Sequence, residues 1–218
     1  DNANNTSDNL TVSEFTIGAT KPALAEVTAV PTPDNDTTPS YTFFSTLSGT
    51  ISYGGSCSDN DTAAVADNNT VTFNALADGT YDNCTISVTS SSDVVSDNLS
   101  VSSFKIDTTA PTLDNVTIVS NNDVTTLAKT DDIITLTFTP DETIKTPSVS
   151  IAGHTAETLN ASGSSWIATY TMKSTDSDNL TVSLNVSFSD LADNAGDNVT
   201  TTTDGSAVFF DRTPPKVN

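Results

Sequence analysis

Apolar and polar residues alternate with a period of two along most of the chain, which is the signature of strands buried on one face. Six such stretches fall in the first half: LAEVTAV (24–30), SYTFFST (40–46), GTISYGG (49–55), NTVTFNA (69–75), YDNCTISVT (81–89) and LSVSSFKI (99–106). Six more follow: LDNVTIVS (113–120), DIITLTFT (132–139), PSVSIAG (147–153), WIATYTM (166–172), LTVSLNVSFSD (180–190) and GSAVFFD (205–211). Turn clusters such as TPDNDTTP and LADGT separate them, and no helical period of useful length interrupts them. Short strands with turns at this spacing predict an all-β chain of tandem immunoglobulin-like β-sandwiches.

One motif marks the joints. FTIGATKP (15–22), FKIDTTAP (104–111) and VFFDRTPP (208–215) each run from apolar alternation into threonine and proline, and their final prolines are 89 and then 104 residues apart. A repeat of that length suits small domains with separate cores. The expected division is 1–18, a terminal strand of a preceding domain or a donor strand; 19–107 and 108–212, two Ig-like domains joined by a short Asp/Thr/Pro linker; and 213–218, the start of a linker to a following domain. LTVSEFTI (10–17) matches LSVSSFKI, so it reads as a last strand cut from its own sheet, with an edge that must pair in cis or in trans. The chain is expected to begin and end inside a longer polypeptide.

Composition narrows the partners. The 218 residues carry a net charge of -21 with 35% hydrophobic residues, which argues against nucleic acid and anionic membrane surfaces and favours cations. Low hydrophobicity with high charge also describes disordered chains, but the regular alternation argues for packed sheets. No run of 18 apolar residues is present, so no membrane-inserting segment is expected. Cys57 would follow the third strand and Cys84 would lie on the penultimate one; in a seven-strand sandwich these are neighbours, so a disulfide and an oxidising compartment are expected. Two buried free thiols are the alternative. The second repeat has no cysteine, and Trp166 is expected to supply its core bulk.

The recurring FxIDxTAP linker, with GTY…CTISVT in one repeat and FTPDETIKTPSVSIAGH…FSDLADNAGDN…FDRTPP in the other, resembles tandem bacterial Ig-like domains of giant surface adhesins and other extracellular repeat proteins. The resemblance covers nearly the whole chain. It implies a rod of sandwiches, often stiffened by calcium at the junctions, and no particular ligand.

On that frame, the last strand of one sandwich ends facing two loops of the next. At the middle linker those parts bring Asp107 to Asp141 and Glu142 of FTPDET, and to Asp190, Asp193 and Asn194 of SDLADNAGD. Five carboxylates and an amide suit Ca²⁺, which takes six to eight oxygens at flexible geometry, and the carboxylates would repel one another without a cation. Asp107 and Asp190 are the leading candidates and Asp193 the weakest. The loop does not have EF-hand spacing, and solvated acidic turns are the bland alternative. The first repeat is an internal control: Gly18 stands where Asp107 and Asp211 stand, STLSGT has no acid, and Ser90 replaces Asp190. Calcium is therefore expected at the middle junction and little or none at the first, with Asp211 a ligand only when another domain follows.

Nothing points to catalysis. The lone His154 in AGHT reads as an exposed turn residue, and no GxSxG, HExxH, P-loop or GxGxxG occurs. Sequons are dense, and Asn60, Asn98, Asn115 and Asn179 are candidate glycosylation sites. A non-catalytic structural spacer in an extracellular cell-surface adhesin or stalk explains most of these features. Its partners would be neighbouring Ig-like domains or identical chains, with any host or surface ligand bound elsewhere in the parent protein. The alternative is a self-assembling subunit of a filament or surface layer that uses LTVSEFTI in donor-strand fashion. A ligand-binding module finds only Tyr53 in its favour, and a core or turn role suits that residue better.

Overall fold

The computed structural model describes residues 18, 20–162 and 165–213. The strand expected over 10–17 and the closing prolines Pro214 and Pro215 lie outside these residues. All regular structure among the described residues is strand. In chain order the strands are β1 (Leu24–Thr28), β2 (Ser40–Ser45), β3 (Gly49–Gly54), β4 (Ala63–Ala64), β5 (Asn68–Thr72), β6 (Gly79–Tyr81), β7 (Thr85–Ser90), β8 (Leu99–Ser100), β9 (Phe104–Ile106), β10 (Leu113–Ser120), β11 (Leu127–Ala128), β12 (Ile133–Pro140), β13 (Ser148–Ile151), β14 (His154–Thr155), β15 (Glu157–Ser162), β16 (Ser165–Thr171), β17 (Leu180–Thr181), β18 (Leu184–Ser187) and β19 (Phe209–Phe210). The fold is all-β and immunoglobulin-like, built from small sheets with alternating buried and exposed positions.

The chain divides into two compact units, one drawn from 1–29, 41–71 and 83–101, the other from 30–40, 72–82 and 102–218. The first holds the sheets β1-β2-β5 and β4-β3-β7-β8. Alternation decides its interior: Tyr41, Phe43 and Ser45 of β2 and Ile86, Val88 and Ser90 of β7 are buried, while the residues between them face outward or sit half-buried. Each such large apolar side chain contributes about 1.5–3 kcal/mol when fully buried.

The second unit contains β6-β9, β10-β12-β16-β15, β11-β19-β17 and β14-β13-β18. The paired strands β12 and β16 set Phe138 opposite Trp166, Leu136 opposite Ala168 and Ile134 opposite Tyr170, with Ala168 the one small residue among three bulky pairs. Trp166 belongs to the buried cluster with Phe138, Val186, Phe188 and Phe210, the packing role expected of it. In the same unit Phe104 of β9 lies over Phe73 and Tyr81, with ring centroids 6.3 and 5.3 Å away.

Three stretches of sequence alternation turn out to be divided between two strands each. YDNCTISVT closes β6 at Tyr81 and enters β7 at Thr85, so Cys84 lies just before a strand and not on one as expected. LSVSSFKI becomes β8, paired with β7, and β9, paired with β6. LTVSLNVSFSD becomes β17, paired with β19, and β18, paired with β13. The chain changes sheets midway in both of these. From Val182 to Asp190 every second residue stays buried, whereas in LSVSSFKI the period slips by one at the exposed Ser102–Ser103, from Val101 to Phe104 and Ile106. The strand β15, ETLNAS, is absent from the expected set, with Leu159 and Ala161 its only apolar residues.

Candidate functional site

Asp107 is placed by the strand before it. Phe104 and Ile106 are buried on one face of β9, and the parallel bridge Asp34–Ile106 continues in a hydrogen bond from the Asp107 N–H to the Asp34 carbonyl at 2.9 Å. The Asp107 carboxylate then caps its own exit, accepting the Thr109 N–H at 3.2 Å. Asp107 is 8% exposed.

Asp190 lies at the end of the segment after β18. Its backbone bridges Ile144, and its carboxylate accepts the Asn194 N–H on Oδ1 and the Asn194 side-chain amide on Oδ2, both at 2.8 Å. That amide also donates to the Asp107 carbonyl at 2.7 Å, so Asn194 ties loop to linker. Two residues on, Gly196 permits close packing. A Cβ there would fall 2.3 Å from the Phe188 ring and 2.8 Å from the Pro111 carbonyl, distances that no other side chain allows.

Glu142 completes the group. One carboxylate oxygen each from Asp107, Glu142 and Asp190 all lie within 4.8 Å of one another. Oxygens held at 2.3–2.6 Å from one Ca²⁺ are at most about 5 Å apart, so the spacing and the all-oxygen donor set fit such an ion. Asp190 is only 1% exposed. Burial, and then the facing Asp107 and Asp190 carboxylates, push the Glu142 carboxyl above the usual carboxylate range. One internal cation answers this charge. The Lys105 ammonium donates to Asp107 Oδ2 at 2.6 Å, and that bond, with the Asp107, Glu142 and Asp190 charges, holds the amine above its ordinary value.

The other expected ligands sit differently. Asp141 is occupied by the start of the next strand, accepting the Thr112 N–H at 2.8 Å and the Thr112 hydroxyl at 2.9 Å; the backbone bond holds its carboxyl below the usual range. Asp193 is exposed and paired with Lys145. Asp211 is exposed and caps the Thr213 N–H at 2.8 Å. Residues 90–94 make the same backbone bond without the charge: the Ser90 N–H bonds the Val94 carbonyl as the Asp190 N–H bonds that of Asn194. Gly18, Leu47, Ser48 and Ser90 line one depression there, with serine hydroxyls and no carboxylate among these four.

Cys57 and Cys84 form a disulfide with Cα atoms 5.3 Å apart. Asn60, Asn98, Asn115 and Asn179 are all exposed, the last two at positive φ. His154 is exposed, as expected, but it is not idle. Its ring stacks on Tyr170 with centroids 5.1 Å apart, and its Nε2 lies 3.1 Å from the buried Asp176 carboxylate. Sequence spacing gave no signal for that contact, because Asp176 lies in a polar turn. The Tyr53 hydroxyl donates to the Asp61 carbonyl at 2.7 Å, a turn role.

No protein-family model matches the chain, and no curated protein matches it. Among solved structures the D00-D0 domain of Intimin is similar, with a TM-score of 0.36 and 16% identity over 87% of this chain and 98% of that one. A likeness this loose carries no argument about function.

Proposed function

We propose that the chain is a non-catalytic structural segment of an extracellular, cell-surface adhesin or stalk, and that Asp107, Glu142 and Asp190 hold a Ca²⁺ ion that fixes the linker FKIDTTAP to the repeat that follows it. The observation carrying this reading is the convergence of three carboxylates, one from the linker and two from separate loops of the second repeat, within 4.8 Å. A bound cation would add positive charge to that of the Lys105 ammonium on Asp107. Asp107 and Asp190 hold their places by backbone bonds and by Asn194, so the site needs little rearrangement to be filled. The disulfide supports an oxidising, extracellular setting, and the acidic surface suits a soluble spacer.

Calorimetric titration of chelator-treated protein should show binding, and at free calcium one hundred times the dissociation constant the chain should gain about 2.7 kcal/mol. Glu142→Gln and Asp190→Asn should abolish the heat, and Lys105→Met should tighten binding by removing the competing ammonium. Equal melting temperatures in calcium and in chelator, with no heat of titration, would sink the calcium reading.

A further inference from the structure

Two carboxylates outside the candidate site grip the two linkers in the same way. The Asp78 carboxylate accepts the Thr108 N–H at 3.2 Å, the Thr108 hydroxyl at 2.7 Å and the Thr109 hydroxyl at 3.1 Å. The Asp178 carboxylate accepts the Arg212 N–H at 2.8 Å and the Thr213 hydroxyl at 2.7 Å, with the Arg212 guanidinium 3.5 Å away. Each aspartate is followed by a residue at positive φ, Gly79 at 154° and Asn179 at 54°. That residue turns the chain toward a strand paired with the one that ends at the linker: β6 with β9, and β17 with β19. Each grip thus lies just beyond a ladder, where regular backbone bonding stops. The linker adds its own cap in both places, Asp107 to the Thr109 N–H and Asp211 to the Thr213 N–H. Threonine suits this position because its N–H and hydroxyl both donate, and a carboxylate can accept both.

We infer that Asp78 and Asp178 are positioning residues that fix the direction in which the chain leaves its last strand, so that linker stiffness is built into each repeat. The proposal goes beyond the calcium reading and does not depend on it, since neither carboxylate belongs to the three-acid cluster.

Amide hydrogen exchange by NMR on the full chain in chelator tests it. In the parent protein the Thr108 and Arg212 amides should be protected without calcium. Asp78→Ala should speed Thr108 exchange roughly tenfold or more and leave Arg212 unchanged, and Asp178→Ala should do the reverse. Thr108→Val removes one hydroxyl donor and should give a smaller acceleration confined to residues 108 and 109. The amides of Ile86, Val88 and Ala168 report global folding; if they lose protection in an alanine variant, the Thr108→Val result decides. Unchanged exchange at Thr108 in both Asp78→Ala and Thr108→Val overturns the inference. So does protection that disappears from the parent protein when calcium is removed, which would assign the stiffness to the cation instead.

Discussion

Removing the Cys57–Cys84 cross-link should lower stability through the unfolded chain. The bridge spans a sequence separation of 27 residues, and loop-closure entropy puts its contribution at about 3.5 kcal/mol at 25 °C. The folded geometry around it does not depend on the bond. Strands β3 and β7 pair from Gly49 opposite Ser90 to Gly54 opposite Thr85. Beyond them Gly55, at a φ of 75°, passes so close that a Cβ would fall 2.0 Å from the Asn83 carbonyl. The Ser56 N–H also bonds the Asn83 side chain at 3.1 Å. Ladder and turn therefore bring the cysteines together with or without the bond, and the loss falls on the denatured ensemble. Urea unfolding followed by circular dichroism should show the Cys57→Ala/Cys84→Ala midpoint lowered by about 1–3 M, for a slope of about 1–3 kcal/mol per molar. The reduced parent protein should behave alike, which separates the cross-link from the packing of the two buried sulfurs. Trp166, the single tryptophan, lies in the other unit, so its fluorescence shows whether the loss spreads there. Equal midpoints for oxidised and reduced parent protein would refute the reasoning.

Other substitutions test the core, the loop and the acid response. Trp166→Ala empties a fully packed position opposite Phe138 and should cost about 3–5 kcal/mol in urea or thermal melts. Gly196→Ala places a methyl against the Phe188 ring and the Pro111 carbonyl and should destabilise by about 1–3 kcal/mol, read as a lowered melting temperature. Burial pushes the Asp132 carboxyl up, but donors from the Asn122 side chain and the Lys129 N–H, at 2.7 and 2.8 Å, outweigh it and hold the group below the usual range. A depressed carboxyl stabilises above its unfolded value, near pH 3.9, and loses that contribution as pH falls through the folded value. Asp132→Asn should therefore be less stable than the parent at pH 7, and the gap should close as pH drops below about 4.

The fold was legible because alternation is local. Nearly every stretch with a period of two became a strand, and Trp166 landed in the core through the same pattern. Three things were not legible. The polar strand β15 forms because β16 offers it a ladder from Glu157 opposite Thr169 to Ser162 opposite Ser165, which no local pattern records. The sheet switch within LTVSLNVSFSD leaves the alternation of apolar residues intact from Leu180 to Phe188, so sequence could not mark it. The linker grip from Asp78 spans 30 residues, and an aspartate before a glycine looks like any turn.

The same limit explains why a net charge of -21 pointed to the three-acid cluster only in outline. Most aspartates have a local use. Asp36 caps the Thr38 N–H, Asp61 that of Ala63 and Asp204 that of Ser206, at 2.8, 3.0 and 2.9 Å; each is used by its own turn. Asp141 and Asp193 were expected beside Asp107, yet each has found a nearer partner, Thr112 in one case and Lys145 in the other. What sets Asp107, Glu142 and Asp190 apart is that they face one another, with the Lys105 ammonium on Asp107 the one bonded to them among the described residues. Like charges at such range in partly buried surroundings repel strongly, and only long-range placement by the sheets enforces it. Charge density in the sequence therefore marks where acids are common, whereas mutual approach marks where a cation would lower the energy. Phe209 stands at the linker position that Lys105 fills, so a cation beside Asp211 would meet no ammonium competitor from that position.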